Sequence, residues 1–152
     1  MELLRKHLRG LRFPGHRELH FHNEKPARRR FLLARMAEFG VRVDIYLASC
    51  REGEERARQV CLARAVDDIL DVDASRLVLD SRSGRDELDR LTIRRALGKR
   101  ARETRVGYEH FDSASEPLLW LADIVAWCYG AGGDWARRAA PVLGNVIRLD
   151  RP

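Results

Sequence analysis

Lysine is nearly missing from this chain: of its 29 basic residues only Lys6, Lys25 and Lys99 are lysine, and the rest are arginine. Cysteine is scarce as well. Cys50, Cys61 and Cys128 are odd in number and far apart, which fits neither a disulfide framework nor a zinc-ligand spacing. Three thiols in a reducing cytoplasm are expected instead, with Cys61 and Cys128 as small core residues. No apolar run approaches the ~20 residues that cross a bilayer, and the start carries no secretory signal pattern. A cytoplasmic protein without membrane segments is the expectation. Nucleophilic catalysis has little support, because no Ser sits in a G-x-S-x-G elbow and no Cys has a readable His partner. The Gly-rich stretch GAGGD follows a helix rather than a strand, so it fails the context required of a phosphate loop. No repeat, low-complexity tract or linker interrupts the chain.

What is present is charge and alternation. The formal net charge is +6, which favours phosphate backbones as partners. Arg-rich, Lys-poor and Ala-rich composition also arises from G+C-rich coding. The cations are scattered over several helices instead of gathered on one, and the run Arg28-Arg29-Arg30 reads as a solvated helix face. By size the 152 residues make one domain with a substantial core.

Helical spacing runs over residues 1–12, 24–39, 53–71, 86–100, 116–129 and 135–140. Strand patterns cover 18–22, 41–48, 76–80, 105–111 and 145–149. In 41–48, Val41, Val43, Ile45 and Leu47 alternate with Arg42, Asp44, Tyr46 and Ala48. The aliphatic RLVLD at 76–80 reads as a central strand. This order predicts an α/β fold with parallel neighbours joined by helices.

The segment EPLLWLADIVAWCYG, residues 116–130, poses the chemical question, because one aspartate lies in a nearly unbroken apolar helix. Glu116, Trp120, Asp123 and Trp127 fall within a ~40° sector. A helix apolar all round is packed all round, so Asp123 is expected to be buried and to need a cation, a metal or a proton. Either an arginine neutralises it, or it is one corner of an acidic cluster facing a cleft, or that face of the helix is simply exposed. Asp80, predicted at the carboxyl end of a strand where open α/β sheets place their sites, is the natural partner. Two such carboxylates suit Mg²⁺ or Mn²⁺ and the clamping of a phosphoryl displacement. Glu116 is a third candidate on the same face, although a first-turn acid is also favoured by the helix dipole. Asp80 has its own simpler reading, as a turn residue bonded to the backbone of SRSG. His20 and His22 would share one side of a strand. His110, far off on YEHF, is the remaining nitrogen donor, which makes zinc a weak reading.

HFHNEKPARRR, RLVLDSR with its arginine- and aspartate-rich turn, and EPLLWLADIVAWCYGAGGDW together resemble the domain-of-unknown-function 3800 family. These are bacterial proteins, common in actinobacteria, with a ribonuclease H-like fold. The resemblance runs from about residue 17 to the C-terminus. It implies a single ribonuclease H-like domain over 1–152, a three-layer fold with a mixed central sheet of about five strands. It also implies an acidic site in which Asp80 and Asp123 hold Mg²⁺ or Mn²⁺ and Glu116 supports them. Family members usually open with a strand carrying Asp-Glu-Ser and a second strand, and this chain starts at the helix after them. The implied site therefore lacks its first acid, and the sheet its usual first hairpin. A sheet thus shortened is expected to pair strand 41–48 with 76–80, or to take a partner subunit at its bare edge. The expectation that follows is a metal-dependent phosphodiesterase or nuclease relative, with weak or no activity alone. The alternative is a non-catalytic module that binds nucleic acid or another protein.

Overall fold

The computed structural model describes residues 1–149. Its contacts divide the chain into two compact units, one of residues 1–45 and 112–145, the other of residues 46–111 and 146 onward.

The first unit is helical. It holds α1 (Glu2–Gly10), α2 (Pro26–Ala37), α5 (Leu118–Ala131) and α6 (Gly133–Ala139). Leu32, Leu33 and Met36 are buried on α2, and Trp120, Leu121, Ile124, Val125 and Cys128 on α5. Both sets recur at three- and four-residue steps, which puts each on one helix face. α6 packs against α5 and α2.

α5 is not covered all round. Ala122, Asp123, Ala126 and Gly130 are exposed along one stripe. Asp123 therefore meets water: the exposed-face reading holds, and burial in a low-dielectric interior does not. Alanine and glycine made the helix look uniformly apolar, yet residues this small are at home on either side of a surface.

The segment 18–22 is not a strand. Phe21–Asn23 forms a 3₁₀ turn. Phe21 is 1% exposed, edge-on to Trp127 and Trp135 at 5.4 and 6.4 Å between centroids. The guanidinium of Arg29 sits 4.6 Å from the Trp127 ring and 5.5 Å from Trp135, and it donates to the carbonyls of Phe21 (3.0 Å) and His22 (2.6 Å). The backbone carbonyls that a neighbouring strand would use are thus taken by an arginine. Arg28 is half-buried too, stacked over Phe13 and Phe31 and bonded to the Leu11 carbonyl. Of the Arg28–Arg30 run, only Arg30 is exposed.

The second unit is built around a β-α-β crossover. β2 (Arg76–Asp80) leads through α4 (Asp86–Leu97) to β3 (Gly107–Phe111), which pairs parallel to β2 with Leu79 opposite His110 and Asp80 opposite Phe111. A helix between two parallel strands is the short way to join them. α3 (Glu54–Asp71) packs on α4, and Val66, Leu79, Ile93 and Leu97 form the core, with Leu62, Leu70, Leu77 and Tyr108 against it.

β1 (Val43–Leu47) and β4 (Leu143–Arg148) form a separate two-stranded sheet, and each strand gives residues to both units. The described residues thus hold four strands in two sheets rather than one sheet of about five, and β1 pairs with β4, not with β2. The α/β class stands. The mixed central sheet does not, because one of its expected strands is the turn that Arg29 ties down.

Candidate metal centre

Where β2 ends, the chain turns through Ser81–Arg85 and starts α4 at Asp86. Gly84, at φ 71°, supplies the left-handed step this turn requires. The Asp86 carboxylate accepts from the Ser81 hydroxyl (2.6 Å) and the Arg82 N–H (2.7 Å), closing the turn. Those bonds, the Ser81 hydroxyl first, hold its pKa below the ordinary carboxylate range.

One helical turn further, Asp89 is 1% exposed. Arg58 from α3 grips it with a two-pronged fork, Nε and NH2 each at 2.9 Å, and Arg82 adds a third bond at 2.7 Å. His110 brings Nε2 to 3.2 Å from Asp89 and 3.9 Å from Asp86. Burial pushes the Asp89 pKa up, but the bonds from Arg58 and His110 and the charges of Arg58 and Arg82 outweigh it and hold the carboxyl ionised. Glu55 completes the cluster by accepting two bonds from Arg82 at 2.9 and 3.1 Å and facing Arg85 at 3.4 Å.

Asp86, Asp89 and His110 each offer one donor atom, and the three lie within 4.8 Å of one another. Two carboxylate oxygens and an imidazole nitrogen are a donor set for a divalent ion of the manganese or zinc kind. Two features oppose it. Three carboxylates (Glu55, Asp86, Asp89) already face three guanidiniums (Arg58, Arg82, Arg85), so a dication enters only by displacing an arginine from Asp89. Ligation through Nε2 also puts the His110 ring proton on Nδ1, and that buried atom has no hydrogen-bond partner among the described residues. Ligating histidines normally anchor that second nitrogen.

The candidates read from sequence lie elsewhere. Asp80 ends β2 as expected. Strand alternation, however, puts Leu79 and His110 on the face covered by α3 and α4, and Asp80 with Phe111 on the other. Asp80 is therefore not a member of the trio. Asp123 is exposed on α5 and belongs to the other unit. Glu116, 5% exposed, is gripped by Arg5 through Nε at 3.0 Å and NH2 at 3.1 Å, and accepts the Leu118 N–H at 3.0 Å at the start of α5. It is a buried ion pair that also caps a helix. His22 is exposed, and His20 lies 3.7 Å from Glu18. Sequence reasoning missed Asp86, Asp89, Arg58 and Arg82 as site residues. The available signal was the i, i+3 pair of acids opening a helix directly after a strand.

No protein-family model, curated protein or solved structure matches the chain. No helix among the described residues is long and apolar enough to cross a membrane.

Proposed function

We propose that this protein is a divalent-metal-binding relative of phosphodiesterases and nucleases, with the ion held by Asp86, Asp89 and His110 and little or no activity alone. The observation that carries the reading is that trio, gathered within 4.8 Å beside the C-terminal end of a parallel strand pair. That is where α/β folds place their chemistry. An ion there would act as a Lewis acid on a phosphoryl oxygen. The protein's own part is to hold and release charge. Once displaced from Asp89, Arg58 and Arg82 become planar donors matched to the phosphate of a substrate. The ribonuclease H-like assignment belongs to this proposal, on the strength of the sequence resemblance.

A second reading is favoured by the same arginines. They saturate Asp89 so fully that a structural, non-catalytic cluster in a nucleic-acid-binding or protein-binding module accounts for the geometry as well.

Calorimetric titration with Mn²⁺ separates the two. Under the metal reading the full chain binds the ion, Asp89→Asn and His110→Ala lose it, and Arg58→Gln binds about tenfold tighter, a gain of ~1.4 kcal/mol. Failure of both the wild type and Arg58→Gln to bind overturns it in favour of the second. Asp80→Ala and Asp123→Ala in the same titration decide the pair proposed from sequence. Loss of binding in both would place the ion with them, and unchanged binding would leave it with the trio.

A further inference from the structure

The +6 charge looks scattered along the sequence, but ion pairing redistributes it. Arg5, Arg9, Arg35, Arg58, Arg64, Arg76, Arg82, Arg137 and Arg138 each lie within 3.0 Å of a carboxylate. Subtracting such pairs leaves two concentrated remainders: residues 25–30, where Arg28 and Arg29 are half-buried over aromatic rings, and a run at the end of α4 and the 3₁₀ turn Gly98–Arg102 that follows it, whose cations are all exposed. Residues 94–105 read RRALGKRARETR, with six cations and a single acid, Glu103. All six cations are exposed. Arg94 faces Glu87 and Arg100 is held by Asp67. Arg95, Lys99, Arg102 and Arg105 form no ion pair among the described residues.

Part of this has a structural cause, since cations favour the last turn of a helix. That accounts for Arg94 and Arg95 but not for Lys99, Arg102 and Arg105, which lie beyond α4. Gly98, at φ 51°, ends the α-helix and allows the tighter 3₁₀ turn, in which residues three apart, such as Lys99 and Arg102, lie on one side. The span exposes no large apolar side chain, Leu97 being buried. A membrane-surface segment would add an apolar face to its charge, and this one has none.

We propose that residues 94–105 form a binding surface for the phosphate backbone of a nucleic acid, independent of base sequence. Three of the four unpaired cations are arginine, whose planar fork matches a phosphate. The proposal stands apart from the metal reading, because none of these residues belongs to the trio or its partners.

The test uses the full chain and a fluorescein-labelled single-stranded oligonucleotide of ~20 residues, with anisotropy followed across a salt series from about 50 to 200 mM. The patch variant is R95Q/K99Q/R102Q/R105Q. Its control, K6Q/R17Q/K25Q/R30Q, removes the same charge from exposed residues that likewise form no ion pair. On single strands each phosphate contact contributes ~0.7 to the log–log salt slope, so the patch variant is expected to flatten the slope by about 3 and to weaken binding at least tenfold. The control is expected to change binding less than about twofold. Equal losses in the two variants would mean diffuse net charge and would overturn the proposal. No wild-type binding at the lowest salt would overturn it too, as would binding confined to vesicles containing phosphatidylserine. Unchanged circular dichroism shows that the patch variant folds, and its Mn²⁺ titration keeps this outcome separate from that of the metal centre.

Discussion

Among the described residues two acids are almost fully buried, Glu116 at 5% exposure and Asp89 at 1%, and they are neutralised in different ways. Glu116 meets the fork of Arg5 and the N–H of Leu118, so its pair secures the first turn of α5. Asp89 meets Arg58, Arg82 and His110 together. Asp89 thus gathers a second guanidinium and an imidazole around one carboxylate. With three side chains bonded to Asp89, one can leave and the acid still has a partner. The comparison separates a fixed ion pair from a centre whose partners can be traded.

The largest expected effect is on stability. Asp89→Ala leaves two guanidiniums facing each other around an empty space and is expected to cost ~3–5 kcal/mol in urea unfolding, the usual penalty for breaking a buried pair. Glu116→Ala strands Arg5, whose side chain keeps 19% of its surface in water, and the Leu118 N–H. A loss of ~1–3 kcal/mol is expected there. Equal losses would erase the distinction between the two acids.

A smaller effect is local. Burial pushes the Cys128 thiol up to about 11, so in the native state it should resist alkylation at pH 8 while exposed Cys50 reacts. Glu116→Ala should speed labelling of Cys128, which shares its unit, more than that of Cys61 in the other; Asp89→Ala should do the reverse. If each variant accelerates both thiols alike, opening is global and neither acid governs its own region.

The contrast also explains what the sequence could and could not disclose. Helix and strand placement was legible wherever local periodicity was strong: β2 occupies 76–80 as expected, and α3 begins within one residue of its expected start. The segment 18–22 misled because its β-like composition says nothing of an arginine eight residues beyond Phe21 that claims its carbonyls. Asp123 misled because alanine reads as apolar whether buried or not. The metal-capable trio was illegible for a different reason. Asp86 and Asp89 look like ordinary first-turn acids, and their meeting with His110, more than twenty residues away, depends on the parallel register of β2 and β3. A local pattern does not encode that register.

Asp68 extends the series to an acid partly in water, and its effect should be the smallest. Its side chain keeps 32% exposure and takes bonds from Arg64 (2.9 Å) and the Tyr46 hydroxyl (2.8 Å). Those bonds, Arg64 first, lower its pKa below the usual value. A carboxyl whose folded pKa is depressed contributes stability that is complete above the unfolded value of ~3.9 and disappears as pH falls through the folded value. The urea midpoint of the wild type should therefore exceed that of Asp68→Asn at neutral pH, and the gap should close only below about pH 4. Solvent screening keeps it modest. A gap that persists unchanged in acid would mean that the Tyr46 contact works as a neutral hydrogen bond. Exposure would then not be what ranks these three carboxylates.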